Sequence, residues 1–447
     1  MAVPEWTSGP SPAEPPNSLT KVPGDPLLDE LFPHVEHGIQ WGLERMEAFL
    51  RDTGDPHLPI PCVHVGGTNG KGSVASTVAS VLNHAGHRVG LYTSPHLCAF
   101  RERFQIAGDP VEDDELRELA QELDPEIRRH SLTFFEATTG LAFHLFQRRG
   151  VEVSVIEVGL GGRLDATNVV APFLTAITNV DLDHCDYLGS TLNEIALEKA
   201  GIIKKGVPLL TAERDARIRS VLSTTCDSLE APFIHVASDP GLMSVDVGED
   251  HTAFDVSTMA WGRLRLRTPL PGDHQAVNGA LAVALLDRMP PHFRPERTAL
   301  VEGVSRVNWP GRVQVEHLEG RTWVFDIAHN TAGAAALASV LGRLELPRPL
   351  VILTAVLGDK DWREMLPPLF AKADHAVLTQ APSAPLERRW DPHAAIAETG
   401  SGMAEIWTDF DEALDRAREL AGSGTIVVTG SAHTVGDAMR GLGLESV

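Results

Sequence analysis

From Leu27 onward, short apolar runs alternate with stretches in which apolar residues recur every three or four positions. The runs read as buried strands and the periodic stretches as amphipathic helices. After a first helix through Gly42 to Leu50, strands are predicted at 60–65, 88–92, 153–158 and 174–180, each ending in a glycine, polar or acidic segment. A helix over 73–85 follows the first strand, with Gly86 as its stop. This alternation predicts an α/β chain whose large first domain is a P-loop NTPase-like, mostly parallel, doubly wound sheet. Ligands in such sheets gather at the carboxyl ends of strands. A polar, Pro- and Gly-interrupted β-like stretch covers 232–271, and another helix begins near His274. Asn308-Trp309-Pro310-Gly311-Arg312 then punctuates the chain and sets a predicted domain boundary.

Beyond it, strands are predicted at 322–326, 350–355, 376–380 and 425–429, and helices at 332–344, 411–421 and 435–442. This is a smaller Rossmann-like domain without a Gly-x-Gly-x-x-Gly fingerprint, so no dinucleotide site is predicted. The division is residues 27–308 and 309–447, after a Pro-rich tail at 1–26 that is expected to be flexible.

A length of 447 residues with 43% hydrophobic content suits two cores. The net charge of −23 argues against a nucleic-acid or anionic-membrane binder and leaves substrate phosphates to local help, chiefly metal. Cys62, Cys98, Cys185 and Cys226 form no C-x-x-C pair, so neither a disulfide framework nor structural zinc is expected. No signal peptide or membrane-length apolar run is read, and a reduced cytoplasm is the expected compartment.

The chemistry concentrates where strands end. His64-Val65 runs into Gly66-Gly67-Thr68-Asn69-Gly70-Lys71-Gly72-Ser73, a glycine-dense turn with one lysine and one hydroxyl before a helix. Such a turn aims backbone N–H groups and the helix N-terminus at phosphate. Its Lys71-Gly72-Ser73 ending departs from the common Gly-x4-Gly-Lys-[Ser/Thr] spacing. Glu157 lies near the end of a very apolar strand, where a charge needs a cation, either a metal or a nearby arginine such as Arg163. Asn179-Val180-Asp181-Leu182-Asp183-His184 closes another strand at the same edge, and oxygen and imidazole ligands there suit Mg2+. Lys199 falls in the last turn of a helix at 191–200 with Gly201 as its stop, and reads most simply as a cation on the helix dipole. Arg312 suits either phosphate or an interdomain ion pair. Asp326-Ile327-Ala328-His329-Asn330 ends a strand and opens a helix, facing a cleft, although Asp326 and Asn330 would also serve as helix caps. The residues alone describe a Mg-dependent nucleotide enzyme with a closing second domain.

Together with the segments 92–97, 133–136, 157–168, 198–203 and 357–361, these residues resemble the folylpolyglutamate synthase and dihydrofolate synthase family, relatives of the Mur cell-wall ligases, over about His37 to Gly441. The segments at 94–97 and 133–136 resemble the bacterial bifunctional members. The resemblance implies an ATP-dependent ligase that phosphorylates a pteroate or folate carboxylate and joins it to L-glutamate. Gly67 to Ser73 is the family's own cradle. It implies that Gly67, Thr68, Asn69, Gly70, Lys71, Gly72, Ser73, Asn278, Arg312 and Asp326 bind ATP. Ser73, Ser94, Glu157, His184 and a carbamylated Lys199 would bind two Mg2+ ions, and Lys199, His329 and Asp165 would serve catalysis. The pterin end would meet Gln40, Trp41, Gly42, Thr133, Phe134, Phe135, Glu136, Leu164, Asp165 and Ala166, with the two phenylalanines either stacking a pterin or filling core. The family often has Gly where Ile327 stands and a larger residue where Ala432 stands. A monomer acting on small molecules is implied. The alternatives are a Mur ligase for a UDP-linked sugar peptide, disfavoured by the roughly sixty residues before Gly66, and a non-enzymatic nucleotide switch.

Overall fold

The computed structural model describes residues 26–32, 38, 40–236, 244–399, 402–444 and 446. The predicted tail lies outside the described residues except for Pro26, which opens a helix, Pro26–Leu31. The chain is α/β throughout. Its large sheet contains β1 (Cys62–Gly66), β2 (Val89–Tyr92), β3 (Phe104–Ile106), β4 (Asp109–Pro110), β5 (Val153–Glu157), β6 (Leu174–Ile177), β7 (Leu209–Thr211) and β8 (Phe233–His235), in the order β4-β3-β2-β5-β1-β6-β7-β8. All neighbours run parallel except β2-β3 and β3-β4.

The central strands β5, β1 and β6 are buried at every residue, which is why they read as unbroken apolar runs. Their register decides where the chemistry falls. Val65 pairs with Glu157 and Gly66 with Ile177, so the cradle, Glu157 and the turn after β6 leave one carboxyl edge side by side. Behind the cradle, the helix Lys71–His84 is buried between the sheet and the helices Asp273–Asp287 and Arg297–Ser305.

The β-like stretch at 232–271 resolves into two parts. Its start is β8, and residues 245–268 form an antiparallel sheet of β9 (Val245–Val247), β10 (Thr252–Thr258) and β11 (Gly262–Thr268). Phe254, Val256, Leu264 and Leu266 tuck one face of that sheet into the first domain's core.

The second domain has one sheet, β12 (Gln314–Leu318), β13 (Arg321–Phe325), β14 (Leu350–Thr354), β15 (His375–Leu378), β16 (Ala404–Ile406) and β17 (Thr425–Thr429), in the order β12-β13-β17-β14-β15-β16. Only β12 is antiparallel. Separate apolar clusters cover the two faces, as a doubly wound sheet requires. No helix among the described residues is long and apolar enough to cross a membrane.

Candidate active site

The loop after β1 has backbone polar groups that need partners outside the strand and the helix. The turn after β6 supplies the brace. Thr68 N–H donates to the Asn179 carbonyl at 2.9 Å, and Asn69 N–H donates to Asn179 Oδ1 at 2.9 Å. Asn179 Nδ2 and Thr178 Oγ1 both donate to the Asn69 carbonyl, at 3.0 and 2.7 Å. Gly67 and Gly70 hold φ of 134° and 83°, and a Cβ at Gly67 would overlap the Thr178 hydroxyl. At Gly72 the neighbour is the Trp309 ring, which lies over the cradle from the hinge between domains.

Around this loop a cavity of about 600 Å³ opens between the domains. Its walls carry every predicted nucleotide and metal residue: the cradle, Ser94, Glu157, His184, Lys199, Asn278, Arg312, Asp326 and His329. Glu157 is 4% exposed, and burial pushes its carboxyl up, with only the Ser94 N–H at 3.2 Å as a hydrogen-bond donor. Arg163 pairs instead with Glu198 at 2.7 Å, and the positive charges acting on Glu157 are those of Lys71, Arg312 and Arg103. Among the described residues Ser73 Oγ is buried with no partner. A buried carboxylate and an orphaned hydroxyl on the wall of one cavity fit a hard cation.

Lys199 is buried, donates to the Gly67 carbonyl at 2.9 Å, and has its pKa lowered to about 7, first by burial and then by Lys71. A neutral amine is the form that accepts carbon dioxide, so the residue fits a carbamate better than a helix-dipole cation. Gly201, the predicted helix stop, is right-handed at φ −60°; a side chain there would overlap the Arg163 backbone, so close packing and not a left-handed turn calls for glycine.

From the second domain, Arg312 lies 5.8 Å over the Trp309 ring and donates to the Gly311 carbonyl at 3.1 Å. Among the described residues it forms no ion pair. Asp326 is no helix cap: it accepts from Val313 N–H and Ala328 N–H, both at 2.9 Å, and so fixes the hinge to the strand end. Asn330 is the cap, accepting from Gly333 N–H at 2.8 Å. Ile327 donates its N–H to Gly311 at 3.1 Å and is outside the left-handed region, so the chain tolerates it in place of glycine. His329 Nδ1 faces the Ile327 carbonyl at 2.9 Å and its Nε2 faces Asp183 Oδ2 at 3.4 Å, so each ring nitrogen points at an oxygen acceptor.

Sequence reasoning gave no role to Asp183 or Lys360. Asp183 is met by Lys360 Nζ at 2.6 Å, Asn330 Nδ2 at 3.0 Å and His329 Nε2 at 3.4 Å. Burial pushes its carboxyl up, but the His329 hydrogen bond and the nearby positive groups hold it well below the usual carboxylate range.

Two family models match: the Mur ligase middle domain over residues 65–286, and the glutamate ligase domain of Mur ligases over 311–433. Dihydrofolate synthase/folylpolyglutamate synthase of Bacillus subtilis is 32% identical over 422 residues, covering 91% of this chain and 96% of the relative. The chain belongs to the folylpolyglutamate synthase/dihydrofolate synthase family. It is therefore an ATP-dependent ligase.

Among solved structures, Mycobacterium tuberculosis folylpolyglutamate synthase complexed with ADP superposes with a TM-score of 0.85 at 31% identity, covering 94% of this chain and 97% of that one. Escherichia coli FolC in complex with DHPP and ADP gives 0.82 at 29% identity, covering 96% and 99%. A Haloferax volcanii protein named as a probable bifunctional folylpolyglutamate synthase/dihydropteroate synthase is 36% identical over 420 residues, but this ligase spans only 49% of its length.

The residues expected at the pterin end of the ligase do not line the cavity. Thr133 and Glu136 form a capping box at the start of the helix Phe134–Arg148, and Glu136 also pairs with Arg45 at 2.9 Å. Phe134 packs edge-on to Phe32 at 5.7 Å, and the Phe135 ring lies against Gly159. Both rings are half-buried against the second apolar cluster of the first domain. Asp165 is 5% exposed and accepts from Leu160 N–H at 2.8 Å and from Thr167 N–H at 3.0 Å and Oγ1 at 2.5 Å, with His64 Nε2 2.9 Å beyond the hydroxyl. It braces the glycine loop 159–162 from below. Ala166 is buried in the same core as Phe134, and Leu164 is half-buried. Gln40 is exposed with its carbonyl bonded to Arg45 at 2.8 Å. Gly42 has φ 122°, and the half-buried Trp41 packs beside Leu160 and Tyr187 with its indole N–H unpartnered.

Proposed function

We propose that this enzyme joins L-glutamate to dihydropteroate and to tetrahydrofolates already carrying glutamate, through an acyl phosphate. The observation that carries the reading is the meeting in one cavity of the phosphate cradle, the buried Glu157 carboxylate, the buried Lys199 amine and, from the opposite domain, His329. The likeness to relatives named for both activities and for nucleotide complexes supports it.

A carboxylate is a poor electrophile at neutral pH, so it first needs a leaving group. Its oxygen attacks the γ-phosphorus of ATP, ADP departs, and the cradle N–H groups with Lys71 hold the phosphates throughout. Ser73, Ser94, Glu157, His184 and carbamylated Lys199 would hold Mg2+, whose charge offsets the repulsion between γ-phosphate and carboxylate. Glutamate's amine then attacks the acyl carbon and phosphate leaves. His329 is the group positioned to take the amine proton, and Asp183 Oδ2, 3.4 Å from its Nε2, would stabilise the imidazolium that forms.

Purified protein with ATP, Mg2+ and glutamate, offered dihydropteroate and tetrahydrofolate side by side, should release phosphate only when both glutamate and a pterin acceptor are present. Mass spectrometry should show each acceptor heavier by one or more glutamyl residues. Nucleotide turnover indifferent to both would overturn the reading.

A further inference from the structure

We propose that Asp183 and Lys360 form a latch that closes the second domain over the cradle and thereby places His329 for amide formation; this rests on the ligase reading above. The pair spans the domains at 2.6 Å, with side chains 7% and 5% exposed. Each half is set up by its own domain. Asp183 Oδ1 accepts from His184 N–H at 2.9 Å, while the Lys360 loop is held by Arg388, whose Nη2 meets both Asp359 oxygens at 2.9 Å. The meeting of the two charges depends on closure. The same carboxylate takes Asn330 at 3.0 Å, and Asn330 reaches on to Asn69 Oδ1 of the cradle at 3.0 Å. One closing movement therefore seats His329, Asn330 and the cradle together.

Lys360 stands behind the cavity wall, where its Nζ also reaches Nε2 of the wall residue His184 at 3.5 Å. Its charge is buried at the cavity's wall, where only a counter-charge makes burial tolerable. When the domains part, both groups regain water and neither is stranded. Removing one partner leaves a charge that is satisfied only by opening, and a smaller closed fraction weakens apparent binding of whatever needs the closed form.

Lys360→Met, Asp183→Asn and the double variant test this. Lys360→Met should raise KM for glutamate roughly 30-fold while kcat stays within about threefold, because saturating glutamate pulls the domains shut again, whereas Asp183→Asn, which also loses the contact with His329, should raise KM as much and lower kcat as well. The double variant, which strands no charge, should return to within about fivefold of the parent KM. X-ray scattering with a non-hydrolysable ATP analogue should show a larger radius of gyration in each single variant than in the parent or the double variant. Losses that simply multiply in the double variant, or a fall in kcat at unchanged KM, would overturn the latch. Absence of glutamate-dependent turnover in the parent would defeat the ligase reading instead, and the scattering comparison would still judge the latch.

Discussion

At Lys199, burial and the neighbouring Lys71 charge act together against the ammonium, so the free amine becomes available near pH 7. Carbon dioxide adds only to that free amine. Because the pKa is lowered, the reactive fraction grows as pH rises through about 7 and shrinks below it. Enzyme stripped of carbon dioxide and returned to bicarbonate should thus regain activity more fully at pH 8 than at pH 6. Lys199→Ala should lose at least about 100-fold in kcat, and short carboxylates should partly restore it; full activity without additive would refute the carbamate. Glu157→Gln should raise the Mg2+ concentration giving half-maximal rate by about tenfold or more in a magnesium titration. Glu157 was legible because a charge inside an apolar strand is conspicuous. Asp183 was not, because its partner Lys360 lies 177 positions away, and in sequence Asp181 and Asp183 look alike.

Elements buried on both faces were the readable ones. The strands β1, β5 and β17 fall within a residue or two of their predicted ends, since unbroken apolar runs bounded by polar turns leave little choice. The short strands β4 and β12 escaped notice because edge strands carry few buried positions and mixed polarity, and the buried β3 because three residues set no pattern. Motif residues were harder to assign than strands. Thr133 and Glu136 satisfy helix-start N–H groups, a local duty that sequence resemblance cannot distinguish from substrate contact. Thr133→Ala should therefore cost about 1 kcal/mol of stability in urea unfolding, with ADP affinity unchanged. A large loss of pterin affinity with no loss of stability would return Thr133 to the substrate site.

The whole molecule carries a net charge of −23, and its interdomain cavity sets Lys71 and Arg312 among the acidic Glu157, Asp181, Asp183 and Asp326. Anion binding is thus a local property set against an unfavourable overall field. Because cavity walls come from both domains, nucleotide should stabilise them as one unit. At 100 times Kd, ADP with Mg2+ should add about 2.7 kcal/mol and merge any separate melting steps into one in scanning calorimetry, and a chelator should reverse the gain. Persistence of two independent transitions with saturating ADP would argue that the domains do not share the ligand. The Trp309 ring, pressed on Gly72 with its N–H unpartnered and the Arg312 guanidinium above it, has an optical consequence. Its emission should report occupancy of the cradle directly, so that a fluorescence change on adding ADP disappears in Trp309→Phe. The hinge would then serve as a built-in dye for timing each binding and release step without any label.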